Sequence, residues 1–120
     1  MSDTDTHARG AMGEAIAVHH LQLLGLRILE TNFRYGKMGE IDIVAMDGET
    51  LVFCEVKMRH SDEYGPPRAA ITEEKQRKLR RLAQAYLFQH EIGQHACRFD
   101  VVCIMKQGNT NEIEYIRNAF

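Results

Sequence analysis

The sequence predicts an α/β domain, a mixed central sheet flanked by helices, with its elements in the order α-β-β-β-α-β-β. Three observations carry that expectation. Two segments show helical apolar spacing, Asp47-Gly48 is a hairpin signal between two apolar runs, and the second helical segment is a crossover that returns the chain to the sheet. A chain of 120 residues can bury one core and is too short for a second. It is read as a single domain over 1–120, with residues 1–5 as a disordered tail.

The first helix is expected from Thr6 to Leu24, with Ala11, Ala15, Ala17, Val18, Leu21 and Leu24 as its apolar stripe, Glu14 at the edge of that stripe and Gly25 as its stop. Arg27 to Tyr35 reads as a first strand, and Gly36 to Gly39 as a loop. Glu40 to Met46 and Leu51 to Met58 follow as a hairpin. A loop around Gly65-Pro66-Pro67 leads into a second helix from Thr72 to Glu91, with Thr72 as its cap and Lys75, Leu79, Leu82 and Tyr86 on one face. Arg98 to Lys106 and Glu112 to Arg117 supply the last two strands.

The hairpin register decides which side chains meet. A two-residue turn at Asp47-Gly48 pairs Glu40 with Glu55, and a four-residue loop pairs Asp42 with Glu55. Either register predicts Glu40, Asp42, Glu55 and Lys57 on one face, and Ile41, Ile43, Val52, Cys54 and Val56 on the other. A three-residue loop would separate the charged set. On the strand Leu51 to Met58, Glu55 and Lys57 are two residues apart, so they point the same way, roughly 7 Å from each other.

Composition excludes several classes. No apolar run approaches the length of a membrane span, and the polar N-terminal segment does not read as a signal peptide, so a cytoplasmic protein without a membrane partner is expected. Three cysteines without a CxxC pair do not make a disulfide framework, and Cys54 and Cys103 read as buried small hydrophobes. The six histidines offer no four-ligand zinc set at usual spacings. The formal net charge of -2 is unevenly placed: acids dominate from Glu30 to Glu55, and bases from Lys57 to Arg81. An acidic cluster beside a basic one suits a cation centre flanked by phosphate-holding groups.

Those groups suggest phosphodiester chemistry. Mg²⁺ or Mn²⁺ takes hard oxygen ligands and needs only one or two carboxylates besides water and substrate phosphate, a role that fits Asp42 and Glu55. Lys57 would hold or help activate the attacking water, and Glu14 reaches the same centre if the first helix crosses that face. The plainer reading makes Glu55 and Lys57 an ion pair on an exposed sheet face, worth about 0–1 kcal/mol.

Several stretches together resemble a known family. Gly13-Glu14, Gly25, Asn32, Gly39-Glu40-Ile41-Asp42, Phe53 through Arg59, Lys75, Arg98-Phe99-Asp100-Val101-Val102 and Ile116 through Phe120 look like the YraN family of small bacterial proteins. That family is assigned by resemblance to the PD-(D/E)XK restriction-endonuclease-like superfamily and is similar to archaeal Holliday junction resolvases. The resemblance implies an αβββαβ core, with Asp42, Glu55 and Lys57 as catalytic acid, acid and lysine and Glu14 as the helix-borne glutamate, and it leaves Glu40 as a supporting acid. Cys54 stands where Val is more usual, and the Gln-x-x-x-Tyr motif of some relatives is absent.

The resulting expectation is a metal-dependent endonuclease acting on DNA, branched DNA included, with Arg59, Lys75, Arg77, Lys78 and Arg81 near the phosphate backbone. Resolvase-like action would require a homodimer. The alternative is a noncatalytic nucleic-acid-binding or interaction module of the same fold.

Overall fold

Alternating apolar residues make both faces of the central strands hydrophobic, so each face needs a helical cover. The structure, a computed structural model, describes residues 3–60 and 71–120. Its order is α1 (Asp3–Leu23), β1 (Arg27–Arg34), β2 (Glu40–Asp47), β3 (Thr50–His60), α2 (Glu73–Gln89), β4 (Cys97–Gln107) and β5 (Thr110–Ile116). The strands lie in the sheet in sequence order, with β3 and β4 parallel and the other neighbours antiparallel. This is the expected α/β architecture, an αβββαβ core with β5 added at the edge. The segment around Gly65-Pro66-Pro67 lies outside the described residues. So do residues 1 and 2 of the expected tail, whereas Asp3 to Asp5 open α1.

Helix α1 covers one face. Ala17 and Leu21 are fully buried against Ile43, Ala45, Val52, Cys54, Val102 and Ile104. The buried stripe is therefore Gly13, Ala17 and Leu21 at i, i+4 spacing, while Ala11, Ala15 and Leu24, expected in it, are exposed because they are rotated off that line. Gly13 faces Met58 and Val56 across the interface: a Cβ there would stand 3.4 Å from Met58 Cβ, at contact distance.

Helix α2 covers the other face. Thr72 caps it, its hydroxyl accepting from the Lys75 N–H at 3.1 Å, and Leu79, Leu82, Ala83 and Tyr86 are buried against Phe33, Ile41, Val44, Leu51, Phe53 and Phe99. Tyr86 meets Phe33 and Phe53 edge-on, with ring centroids 5.1 and 5.7 Å apart.

The β2–β3 register pairs Ile43 with Cys54 and Met46 with Leu51, the alignment of the four-residue loop, and closes one pair further at Asp47↔Thr50. The turn is thus Gly48-Glu49 rather than Asp47-Gly48. Gly48, at φ +61, takes the left-handed first position that a II′-type hairpin turn requires.

Two alternate residues of β2, Ile41 and Ile43, break the expected alternation. Ile43 packs under α1, but Ile41 packs under α2 with its partner Phe33. Between the pairs Thr31↔Ile43 and Phe33↔Ile41, Asn32 stands opposite Asp42 and adopts φ +55. Asn tolerates that left-handed conformation better than other residues with a Cβ. The sheet's facing therefore reverses at Asp42, and Ile41 does not share the face of Ile43, Val52 and Cys54 as strict alternation predicts.

One carboxylate is buried in the C-terminal half. Asp100 has no exposed surface and accepts from Arg98 Nε at 3.0 Å, Arg98 Nη2 at 3.0 Å, the Asn118 N–H at 3.0 Å and the Tyr115 hydroxyl. Arg98 Nη2 also reaches Asp47 Oδ2 at 2.8 Å, so the network ties β4 and β5 to the β2–β3 turn. Burial, then Asp100, push the Tyr115 hydroxyl above its usual range, and the hydrogen bond from Arg98 to Asp100 raises the guanidinium further.

Candidate functional site

The last backbone pair between β2 and β3 is Ile43↔Cys54, and the candidate site opens immediately beyond it. There the Asp42 side chain replaces a strand partner: its Oδ2 accepts from the Val56 N–H at 2.8 Å. A cleft of about 380 Å³ lies alongside, lined by Gly10, Gly13, Glu14, Glu40, Asp42, Val56, Lys57 and Met58.

Three carboxylates converge in it. Glu14 from α1 and Glu40 and Asp42 from β2 each offer an oxygen, and these oxygens lie within 4.8 Å of one another. Glu14 is oriented by Asn32, whose Nδ2 donates to its Oε2 at 3.0 Å. Glu40 is approached by the Arg34 guanidinium at 3.2 Å, without hydrogen-bonding geometry, so its buried Oε2 has no hydrogen-bond partner among the described residues.

Glu55 lies outside this group of three. Its side chain is 8 % exposed and meets two ammonium groups at the same oxygen, Lys57 Nζ at 3.7 Å from Oε1 and Lys75 Nζ at 3.4 Å. The expectation that Glu40, Asp42, Glu55 and Lys57 share one face is corrected here. Glu55 follows Leu51 and Phe53 by regular alternation toward α2, whereas Glu40 turns toward α1 because the facing of β2 reverses at Asp42. Asp42 itself touches both sides.

Its acidity records this position. Burial, followed by repulsion from Glu55 and more weakly from Glu14 and Glu40, pushes the Asp42 carboxyl up to about 7, against the Val56 N–H that favours the charged form. Three crowded carboxylates, one of them half protonated near neutral pH, form an all-oxygen donor set short of positive charge. That donor chemistry fits a hard divalent cation held by Glu14, Glu40 and Asp42.

The raised Asp42 pKa has a definite sign in stability. The folded chain holds this proton at a pH where the unfolded chain has lost it, so the contribution is full below the ordinary carboxylate range and disappears as pH rises from about 4 to about 7. Without divalent cations, Asp42→Asn should match the parent at pH 4 and exceed its stability at pH 8, and Mg²⁺ should narrow the gap at pH 8. Urea denaturation across that range checks it. An equal difference at both pH values would refute the assignment.

Of the other residues singled out from the sequence, Arg77, Lys78 and Arg81 line a surface depression with Glu74 and with Met38 of the loop between β1 and β2. Lys78 also packs where Gly39 leaves room, since a Cβ at Gly39 would stand 2.8 Å from its Cε. Arg59 is half buried on β3. Lys75 is apart from these bases, at Glu55. Asn32 stands inside a strand-forming run, where residue spacing gives it no role, although an Asn at such a place is itself a signal of irregular backbone.

The model of the family described as "Uncharacterised protein family UPF0102" matches residues 13–104. The chain is similar to a "UPF0102 protein" of Geotalea daltonii, 47% identical over 117 residues that cover 97% of this chain and 91% of that protein. A "UPF0102 protein" of Acetivibrio thermocellus is 47% identical over 118 residues, covering 94% and 91%. One of Stutzerimonas stutzeri is 41% identical over 121 residues, covering 100% and 98%. Among the described residues, no helix is long and apolar enough to cross a membrane.

Proposed function

This chain belongs to the UPF0102 family, the YraN family that its motifs resemble, and from that premise we propose that it is a Mg²⁺- or Mn²⁺-dependent nuclease that hydrolyses phosphodiester bonds in DNA. The observation that carries the proposal is the meeting of Glu14, Glu40 and Asp42 in one cleft that Lys57 also lines.

Glu14, Glu40 and Asp42 would hold the cation, with Glu55 beside them. When bound, the cation lowers the pKa of a ligand water and stabilises charge developing on the phosphate. The chain's own groups do the rest. Asn32 fixes Glu14, and the Val56 N–H fixes Asp42, so two acids are held before substrate arrives. Lys57 presents a cation to the scissile phosphate or its attacking water. Arg77, Lys78 and Arg81 supply phosphate contacts along α2, and these would weaken with added salt.

A cleavage panel tests this. Single-stranded, duplex, flap and four-way DNA, with an RNA duplex beside them, are incubated with Mg²⁺ or Mn²⁺ and with EDTA. Cation-dependent strand scission of at least one DNA is the expected result, and preference for four-way DNA would assign branched substrates. Salt-dependent binding without scission in any arm would instead support the noncatalytic module.

A further inference from the structure

The basic residues of α2 do not form one surface. Arg77, Lys78 and Arg81 are exposed and line a depression beside Met38, whereas Lys75 is half buried and turned to the sheet, its ammonium 3.4 Å from Glu55 Oε1. Resting on the nuclease reading above, we propose that Lys75 is a positioning residue for Glu55. It shares that carboxylate with Lys57 and so keeps the Lys57 ammonium from being captured by Glu55 alone.

Local electrostatics argue that Lys75 is placed for a reason other than helix stability. Thr72 is the cap and accepts from the Lys75 N–H, which puts Lys75 in the first turn of α2. The helix dipole favours acids there, as Glu73 and Glu74 illustrate, and disfavours a cation. Lys75 also continues the stripe of Leu79, Leu82 and Tyr86 by one turn toward the sheet, so its stem runs over apolar surface to the carboxylate. A nearly buried Glu55 needs a counter-charge, and among the described residues Lys57, only two residues along the same strand, is the other cation that pairs with it.

The arrangement divides one carboxylate between two tasks. Both ammonium groups meet Oε1, which leaves Oε2 outside both pairs. Without Lys75, Lys57 would be left as the counter-charge of Glu55 among the described residues and would be drawn toward it, away from the cleft. The acids beside the cleft would also lose a nearby positive charge at Glu55, and the cleft would attract a divalent cation more strongly. Tighter cation binding with slower turnover is therefore the signature of this role. A phosphate contact predicts weaker DNA binding with unchanged cation affinity.

The experiment compares the full chain with Lys75→Ala, Lys75→Arg and Lys78→Ala. Mn²⁺ affinity is measured by calorimetry without DNA, affinity for a labelled DNA duplex by fluorescence anisotropy in EDTA, and cleavage with Mg²⁺ as separate kcat and KM. Lys75→Ala should bind Mn²⁺ tighter by about threefold, hold the duplex within about twofold, and lose about tenfold in kcat with KM unchanged. Lys75→Arg, which keeps the charge, should recover all three values. Lys78→Ala should weaken duplex binding and leave Mn²⁺ affinity alone.

Weaker duplex binding by Lys75→Ala with unchanged Mn²⁺ affinity would overturn the proposal in favour of a phosphate contact, and no change in any readout would overturn it outright. If Lys75→Ala does not fold, Lys75→Gln, which keeps most of the stem, is judged by the same criteria. Absence of cleavage by the parent chain would overturn the nuclease reading alone, because Mn²⁺ and duplex affinities still decide the placement of Lys75.

Discussion

An Asp42→Asn variant is expected to lose about three orders of magnitude in Mg²⁺-dependent cleavage while keeping its fold, since several kcal/mol of charge stabilisation disappear with an anionic cation ligand. The substitution is close to isosteric. An amide oxygen can still accept from the Val56 N–H that Asp42 Oδ2 holds at 2.8 Å, so the end of the β2–β3 ladder should survive. What disappears is the charge at the centre of the group formed with Glu14 and Glu40. Single-turnover nicking at saturating Mg²⁺, beside a circular-dichroism melt, separates the two effects. Activity within about tenfold of the parent would mean that the cation is held without this carboxylate.

Asp100→Ala should destabilise the chain by about 3–5 kcal/mol, the range for breaking a buried charge pair by removing one partner. Arg98 keeps Asp47 and the Tyr115 hydroxyl as partners but loses its buried counter-charge, and the Tyr115 hydroxyl and the Asn118 N–H lose the carboxylate they share. For a domain of about 5–15 kcal/mol total stability, this is a large share. Urea denaturation gives the number, and Tyr115→Phe should show a smaller loss, about 1–3 kcal/mol. A change below about 1 kcal/mol in Asp100→Ala would mean that the neighbours repair the network with water.

The element order was legible because periodicity and turn chemistry agree along the chain. The Asp47 to Thr50 segment announced a hairpin, and one of the two registers it allowed for the site is the observed alignment. The facing of Ile41 was not legible. Strict alternation assumes regular backbone, and the left-handed turn at Asn32 opposite Asp42 is a tertiary choice that a period-two pattern cannot carry.

For the site, Glu14, Glu40, Asp42, Glu55 and Lys57 could be singled out as residues, but their division into an acid trio and a lysine-bound glutamate could not. That division follows from the same reversal. Lys75 looked like one base among several on a basic helix, because spacing along α2 gives its face but not what that face meets. Likewise, Arg98 and Asp100 lie at i, i+2 on one strand, a spacing that permits their ion pair without revealing that Tyr115 and Asn118 complete it.

The hydrogen bond from Val56 to Asp42 gives the molecule an internal spectroscopic probe. Most strand amides bond to a carbonyl whose charge never changes, but this one bonds to a carboxylate that gains and loses a proton near neutrality. Its amide resonance and its rate of exchange with solvent are therefore tied to the state of the acidic cleft. A single backbone signal could follow protonation and cation occupancy in the intact chain, with no substrate present and no residue replaced.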